Sequence, residues 1–232
     1  WPGLYEAMLL AALAAVAVFA VLTSRPNVCF PQHLQEAARG VRWAIDHGAA
    51  LGADTSRLVL AGHSAGGQLA ALMMLQPRWL EEAGVGIERV RGVVLLSPVL
   101  DWSFLGAASV SALARRSLYE FYIRTQYGVP YDCDYEAQLA AASPLALVRA
   151  GATHPDVPVL LLRAGSEAPG FNEMAYRIID IEGYEKELRK QNLAWLVHDR
   201  VQDGSHVTAQ LHLGKTCFEL SHPFWKAVLG RE

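Results

Sequence analysis

Ser64 stands at the centre of Gly62-His63-Ser64-Ala65-Gly66-Gly67, and its surroundings are those of a serine that does chemistry. A serine hydroxyl is a poor nucleophile near neutral pH. It needs a base to take its proton, and that base needs an acid to orient it. Gly-x-Ser-x-Gly supports such a serine when a strand runs into it and a helix runs out of it. Here Arg57-Leu58-Val59-Leu60-Ala61 reads as a short buried strand, and Gln68 to Leu75 as a helix of strong helix formers. The chain must reverse within about four residues, which forces the serine toward an unfavourable backbone conformation. Gly62 and Gly66 are expected to be glycine because a Cβ at either would collide. The turn would hold the serine oxygen clear of the sheet, at a helix N-terminus whose N–H groups can face a developing anion. A small residue in a purely structural turn is the competing explanation, and the flanking strand and helix weigh against it.

The acid and the base should follow on loops after later strands, in the chain order serine, acid, histidine. His206, in Asp203-Gly204-Ser205-His206-Val207, comes after the last strand-like segment and sits among turn-prone residues. His198 is a rival at the end of that segment, and His212 lies beyond it. A solvated loop histidine is the plain alternative for His206, and only the serine motif upstream lifts it above that. Glu167 is the first carboxylate after the strand Val157–Leu162. Asp101, after the preceding strand, and Asp203, close to His206, are the alternative acids. For the oxyanion, Ala65 supplies one backbone N–H directly after the nucleophile. A second donor should come from a glycine-rich loop upstream, yet the only glycine before Gly40 is Gly3. The eight histidines show no His-Glu-x-x-His or comparable metal-ligand spacing. Gly62 to Gly67 lacks the Lys-Ser/Thr of a phosphate-binding loop. No metal or organic cofactor is expected.

The elements that must position these residues alternate along the chain. Leu4 to about Ala14 reads as a helix of small residues and Val16–Leu22 as a β-branched strand. A helix follows Pro31, with Leu34, Ala37, Val41, Ala44 and Ile45 on one face, ending near Gly48 to Gly52. After the helix that leaves Ser64, Val93–Leu96 and Val157–Leu162 are unbroken apolar runs, as parallel strands covered on both faces require. A long helix is expected from Asn172 to about Asn192, a last strand at Leu193–Val197, and a closing helix at Pro223–Leu229. Between Phe104 and Ala142 there is no strand signal. Two helical stretches, Ala107–Tyr122 and Tyr135–Ala142, read as an insertion over the strand ends. This segment, taken as 102–142 and rich in Tyr, Trp and Phe, is a candidate substrate lid. The class is α/β with a mainly parallel sheet, in one domain spanning 1–232.

Composition excludes several other functions. At 232 residues, 52% hydrophobic and 19% charged, the chain has the make-up of a compact domain with a sizeable core. A net charge of −3 without a basic cluster leaves no nucleic-acid footprint. Cys29, Cys133 and Cys217 form no CxxC pair and fit free thiols in a reducing, cytoplasmic setting, although one disulfide plus one thiol is also compatible. Ala7 to Leu22 runs sixteen residues without a polar group. That is short for a membrane span and lacks the preceding basic residue of a signal peptide, so helix plus strand is the better reading and an anchor the lesser one.

Three stretches resemble the α/β-hydrolase superfamily, and within it the carboxylesterase group that includes hormone-sensitive-lipase-like esterases and kynurenine formamidase (arylformamidase). The first runs from Ala37-Ala38-Arg39-Gly40-Val41-Arg42-Trp43-Ala44, through Gly52-Ala53-Asp54-Thr55-Ser56-Arg57, to Gly62–Gly67. The second is Ser97-Pro98-Val99-Leu100-Asp101. The third, Gly165-Ser166-Glu167-Ala168-Pro169-Gly170-Phe171, is similar to the acid loop of the formamidases. The resemblance implies a Ser64, His206 and Glu167 triad acting on a small, fairly apolar ester, arylamide or formamide. It also implies a His-Gly-Gly oxyanion motif shortly before the helix that Leu4–Ala14 resembles, on a strand between those that Val16–Leu22 and Arg57–Ala61 resemble. This sequence starts after the place where that motif would stand. The alternative expectation is therefore a catalytically degenerate hydrolase fold used for binding or interaction.

Overall fold

The computed structural model of the chain describes residues 30–102, 135–165, 179–193, 196–201, 206 and 222–229. By compactness the chain divides into two units, one of residues 1–33 and 105–135 and the other of residues 34–104 and 136–232. Nearly all the described residues belong to the second unit. The expected elements Leu4–Ala14, Val16–Leu22 and Ala107–Tyr122, and all three cysteines, lie outside the described residues.

Among the described residues, four strands form one parallel sheet in the order β1 (Leu58–His63), β2 (Val90–Leu96), β3 (Val159–Ala164) and β4 (Leu196–Val201). Because all are parallel, the segments that leave their C-terminal ends gather on one side of the sheet. Every residue of β3 is buried, and in β2 only Arg91 is exposed. That burial is why both read as unbroken apolar runs. The helices are α1 (Gln32–Gly48), α2 (Ala65–Leu75), α3 (Arg78–Glu82), α4 (Tyr135–Ala141), α5 (Pro144–Arg149), α6 (Ile181–Arg189) and α7 (His222–Leu229). α2 packs against β1 and β2, and α6 against β3, β4 and α5. α2 is buried from Ala70 to Leu75 without a polar face, so it is an inner helix rather than an amphipathic one.

One face of the sheet presents Val94, Leu96, Leu160, Leu162 and Ala164 to Phe224 and Val228 of α7. Gly92 lies on the same face of β2. A Cβ there would stand 2.7 Å from Val228 Cγ2 and 3.0 Å from Phe224 Cζ, so the glycine sets how closely α7 can approach.

Several expected boundaries shift, each for a local reason. On α1, Leu34, Ala38 and Gly48 are buried and Ala37, Val41 and Ile45 half-buried, but Ala44 is exposed. It lies about 80° round the helix from Leu34, outside a narrow apolar stripe. The last strand is Leu196–Val201 rather than Leu193–Val197, because pairing with β3 carries it through His198-Asp199-Arg200, where the apolar signal has stopped. Residues 172–178 of the helix expected from Asn172 to about Asn192 lie outside the described residues. Asp180 caps the start of α6, its carboxylate accepting the N–H of Gly183 at 2.9 Å, and α6 ends at Arg189. α3 and α5 are too short to announce themselves by periodicity.

Candidate active site

β1 ends at His63 and α2 begins at Ala65, so Ser64 alone makes the turn. Its backbone sits at φ 55°, ψ −122°, a conformation that costs a residue with a side chain about 1–3 kcal/mol. The exit of β2 holds it there. Ser64 N–H donates to Leu96 O at 3.0 Å, and Ser64 O accepts from Val99 N–H at 3.2 Å and from Gln68 N–H at 3.1 Å. Sterics support the same geometry. A Cβ on Gly62 would stand 2.2 Å from Gly66 O, and one on Gly67 would stand 2.8 Å from Pro98 Cβ. Gly66 itself differs from expectation: its Cβ would meet nothing within 4 Å among the described residues. The collision expected for Gly62 and Gly66 thus belongs to Gly62 and Gly67.

His206 lies against this turn. Its Nε2 is 2.9 Å from Ser64 Oγ, and the bond is half-buried. To receive the hydroxyl proton, Nε2 must present its lone pair, which places the neutral ring's proton on Nδ1. His63 completes the local arrangement. Its Nε2 lies 2.7 Å from the carbonyl oxygen of His206, and the two rings are 4.8 Å apart at 42°.

The remaining candidates fall in different places. Glu167, Asp203 and His212 lie outside the described residues. His198 is inside β4, in register with Leu161. Asp101 is buried five residues beyond the end of β2, with Arg149 of α5 at 3.8 Å from its carboxylate; the same guanidinium stands 3.9 Å from Asp180. Ala65 opens α2, and by helix geometry the N–H groups of its first turn have no acceptor within the helix. Among the described residues no group of three His, Cys, Asp or Glu side chains is gathered to hold a metal ion.

Two buried serines that are not among the expected site residues, Ser97 and Ser143, brace the surroundings of the turn. Ser97, fully buried with φ 41°, donates its N–H to Leu162 O at 2.7 Å and accepts Ala164 N–H on its Oγ at 3.1 Å. It ties the exits of β2 and β3 together, and its signals in the sequence are the polar Ser-Pro after an apolar run and its place at the head of the Ser97–Asp101 stretch. Ser143, also fully buried, accepts Trp102 N–H at 2.8 Å and donates to Leu139 O at 2.7 Å. With Leu145 N–H on Leu100 O at 2.9 Å, and Gln68 Nε2 donating to Ala142 O, it joins the chain before residue 103 to the chain after α4.

Comparison with known proteins gives three kinds of match. A family model described as the alpha/beta hydrolase fold matches residues 7–161. Esterase LipI of Mycobacterium tuberculosis (strain ATCC 25618 / H37Rv) is 38% identical over 53 residues, which make up 23% of this chain and 17% of that protein. EstE1, a thermophilic and thermostable carboxylesterase cloned from a metagenomic library, is similar in structure with a TM-score of 0.54 and 22% identity, over 88% of this chain and 66% of that one. Esterase B from Lactobacillus Rhamnosis (HN001) gives a TM-score of 0.59 at 19% identity, over 89% of this chain and 64% of that one. The chain thus spans less than two thirds of either solved esterase, and the likeness to both is one of fold.

Proposed function

We propose that this chain, which belongs to the alpha/beta hydrolase fold family, is a serine hydrolase that cleaves small, fairly apolar carboxylic esters, arylamides or formamides. The observation that carries the reading is the 2.9 Å approach of His206 Nε2 to Ser64 Oγ, between residues 142 apart in the sequence. Nucleophile and base at hydrogen-bond distance are the pair that acyl transfer needs first. The strained turn at Ser64 adds support, because such strain persists where the surroundings enforce it and clusters at active sites.

In this mechanism Ser64 Oγ attacks the carbonyl carbon while its proton passes to His206 Nε2. The carbonyl oxygen becomes an oxyanion and is met by the N–H of Ala65 at the positive end of α2. The tetrahedral species collapses, the bond to the leaving group breaks, and that group takes the proton from His206. Water then attacks the acyl-serine with His206 again as base. The carboxylic acid leaves and the serine hydroxyl is restored. Glu167 accepts the His206 Nδ1–H and steadies the imidazolium in this reading, with Asp203 and Asp101 as the other candidates. Residues 102–142 act as the lid that selects the acyl and leaving groups.

A fluorophosphonate probe on the whole protein tests the reading. Ser64 should be labelled, the Ser64→Ala variant should not, and kcat on p-nitrophenyl esters should fall on the order of 10⁶-fold in that variant. A panel of acyl chain lengths beside an aryl formamide separates the two substrate classes. Equal labelling of Ser64→Ala would remove Ser64 as nucleophile. No labelling and no turnover of either class would leave a hydrolase fold used for binding.

A further inference from the structure

We infer that His63 is the positioning residue for the base: it donates Nε2–H to the main-chain carbonyl of His206 and so fixes where that imidazole meets Ser64. The inference rests on the serine-hydrolase reading and deepens it. His63 Nε2 lies 2.7 Å from His206 O. A carbonyl oxygen only accepts, so the nitrogen carries the proton, and the tautomer of His63 is set by its partner. The side chain is half-buried and its bond crosses 143 residues of sequence, so it does more than fill space in the core.

The location of His63 makes this bond useful. It is the last residue of β1 and the immediate neighbour of Ser64. Nucleophile and anchor therefore share one strand end whose backbone is pinned by Leu96 and Val99. His206 arrives from the connection between β4 and α7, far away in the chain. The bond from His63 ties the backbone of that connection to the same strand end that carries the nucleophile. Two linked distances result, 2.7 Å from His63 to the carbonyl and 2.9 Å from the imidazole to Ser64 Oγ. The ring of His63 also lies 4.8 Å from that of His206 and limits its tilt. Misplacing a reacting group by about 1 Å costs on the order of 100-fold in rate.

Two variants separate the donor from the ring. His63→Gln keeps an N–H donor near the Nε2 position and loses the ring. His63→Phe keeps the ring and loses the donor. The expected result on p-nitrophenyl esters is a fall of about 10- to 100-fold in kcat for His63→Phe with KM little changed, and most of the wild-type kcat in His63→Gln. Nitrogen-15 spectra of the wild-type protein should place the His63 proton on Nε2. A folded His63→Phe as fast as wild type, a His63→Gln as slow as His63→Phe, or a proton on Nδ1 each overturns the inference. If His63→Phe does not fold, the spectrum and His63→Gln decide it. A wild-type protein with no Ser64-dependent labelling or turnover defeats the serine-hydrolase reading itself, and this inference falls with it.

Discussion

Gly62 and Gly66 press together so closely that a methyl group on Gly62 would stand 2.2 Å from the carbonyl oxygen of Gly66. The carbonyl is backbone in the first turn of α2, so nothing flexible can move aside. The relationship is one-sided, because a methyl group on Gly66 meets nothing within 4 Å among the described residues. Gly62→Ala is therefore expected to cost about 3 kcal/mol or more and to displace Ser64. Gly66→Ala, inside a helix, should stabilise by about 0.5–1 kcal/mol. Urea midpoints of the two variants test this, and equal losses would mean that the turn does not have this geometry.

Ser64 holds φ 55°, ψ −122°, a conformation that glycine reaches without a Cβ penalty. Replacing the serine by glycine should relieve the strain, while replacing it by alanine should keep it. Ser64→Gly is expected to be more stable than Ser64→Ala by about 0.5–2 kcal/mol, after allowing for the extra backbone freedom of glycine when unfolded. Both variants should lose hydrolysis. Chemical denaturation gives the comparison, and a less stable glycine variant would argue that the turn is relaxed.

The sequence carried the inner strands and the serine turn clearly because each has a strong local cause. Val93–Leu96 of β2 and Val159–Leu162 of β3 are buried and apolar without interruption, and the turn needs Gly62 for a backbone collision that no other residue avoids. His206 was legible through chain order alone, since nothing in its own neighbourhood distinguishes it from a loop histidine. What stayed hidden is set by partners distant in sequence. β4 extends past its apolar residues because β3 supplies hydrogen bonds through Arg163 and Ala164. Gly67 matters through Pro98, which lies 31 residues on, and His63 through His206. No local pattern encodes such pairings. Asp180 carries the acidic side chain of a helix start three residues before Gly183, but the apolar Ile179 and Ile181 on either side of it concealed that start.

Ser143 closes the chain on either side of residues 103–134. It is fully buried, and its hydroxyl both receives Trp102 N–H and donates to Leu139 O. Ser143→Ala leaves a buried backbone donor and acceptor short of a partner, which should cost about 1–3 kcal/mol. Ser143→Cys, with a weak thiol donor and acceptor, should fall between. If residues 102–142 form the lid, protease cleavage within them should also become faster in Ser143→Ala. Thermal melts and limited proteolysis measure both effects, and an alanine variant as stable as wild type would show the hydroxyl to be dispensable.

His154 makes acid a specific threat to this fold. Burial holds its imidazole below the ordinary value of 6.5, against a smaller opposing effect from the Pro155 carbonyl. Nδ1–H donates to Pro155 O at 2.8 Å, and among the described residues Nε2 has no partner, so a second proton would be buried and unpaired. The loop is held independently of charge: Gln191 takes His154 N–H on Oε1 at 2.8 Å and gives Nε2–H to Ala152 O at 2.9 Å. Because the folded value lies below the unfolded one, the unfolded chain binds the proton first as pH falls. Stability therefore rises with pH below about 6.5, and above that both states are neutral and the contribution vanishes. His154→Asn cannot titrate in this range. Wild type should lose stability relative to His154→Asn between pH 7 and pH 5, by at most about 1.4 kcal/mol per pH unit. Urea unfolding of both proteins across that range gives the difference directly, and a difference independent of pH would mean that His154 takes up its proton as readily in the folded chain as in the unfolded one.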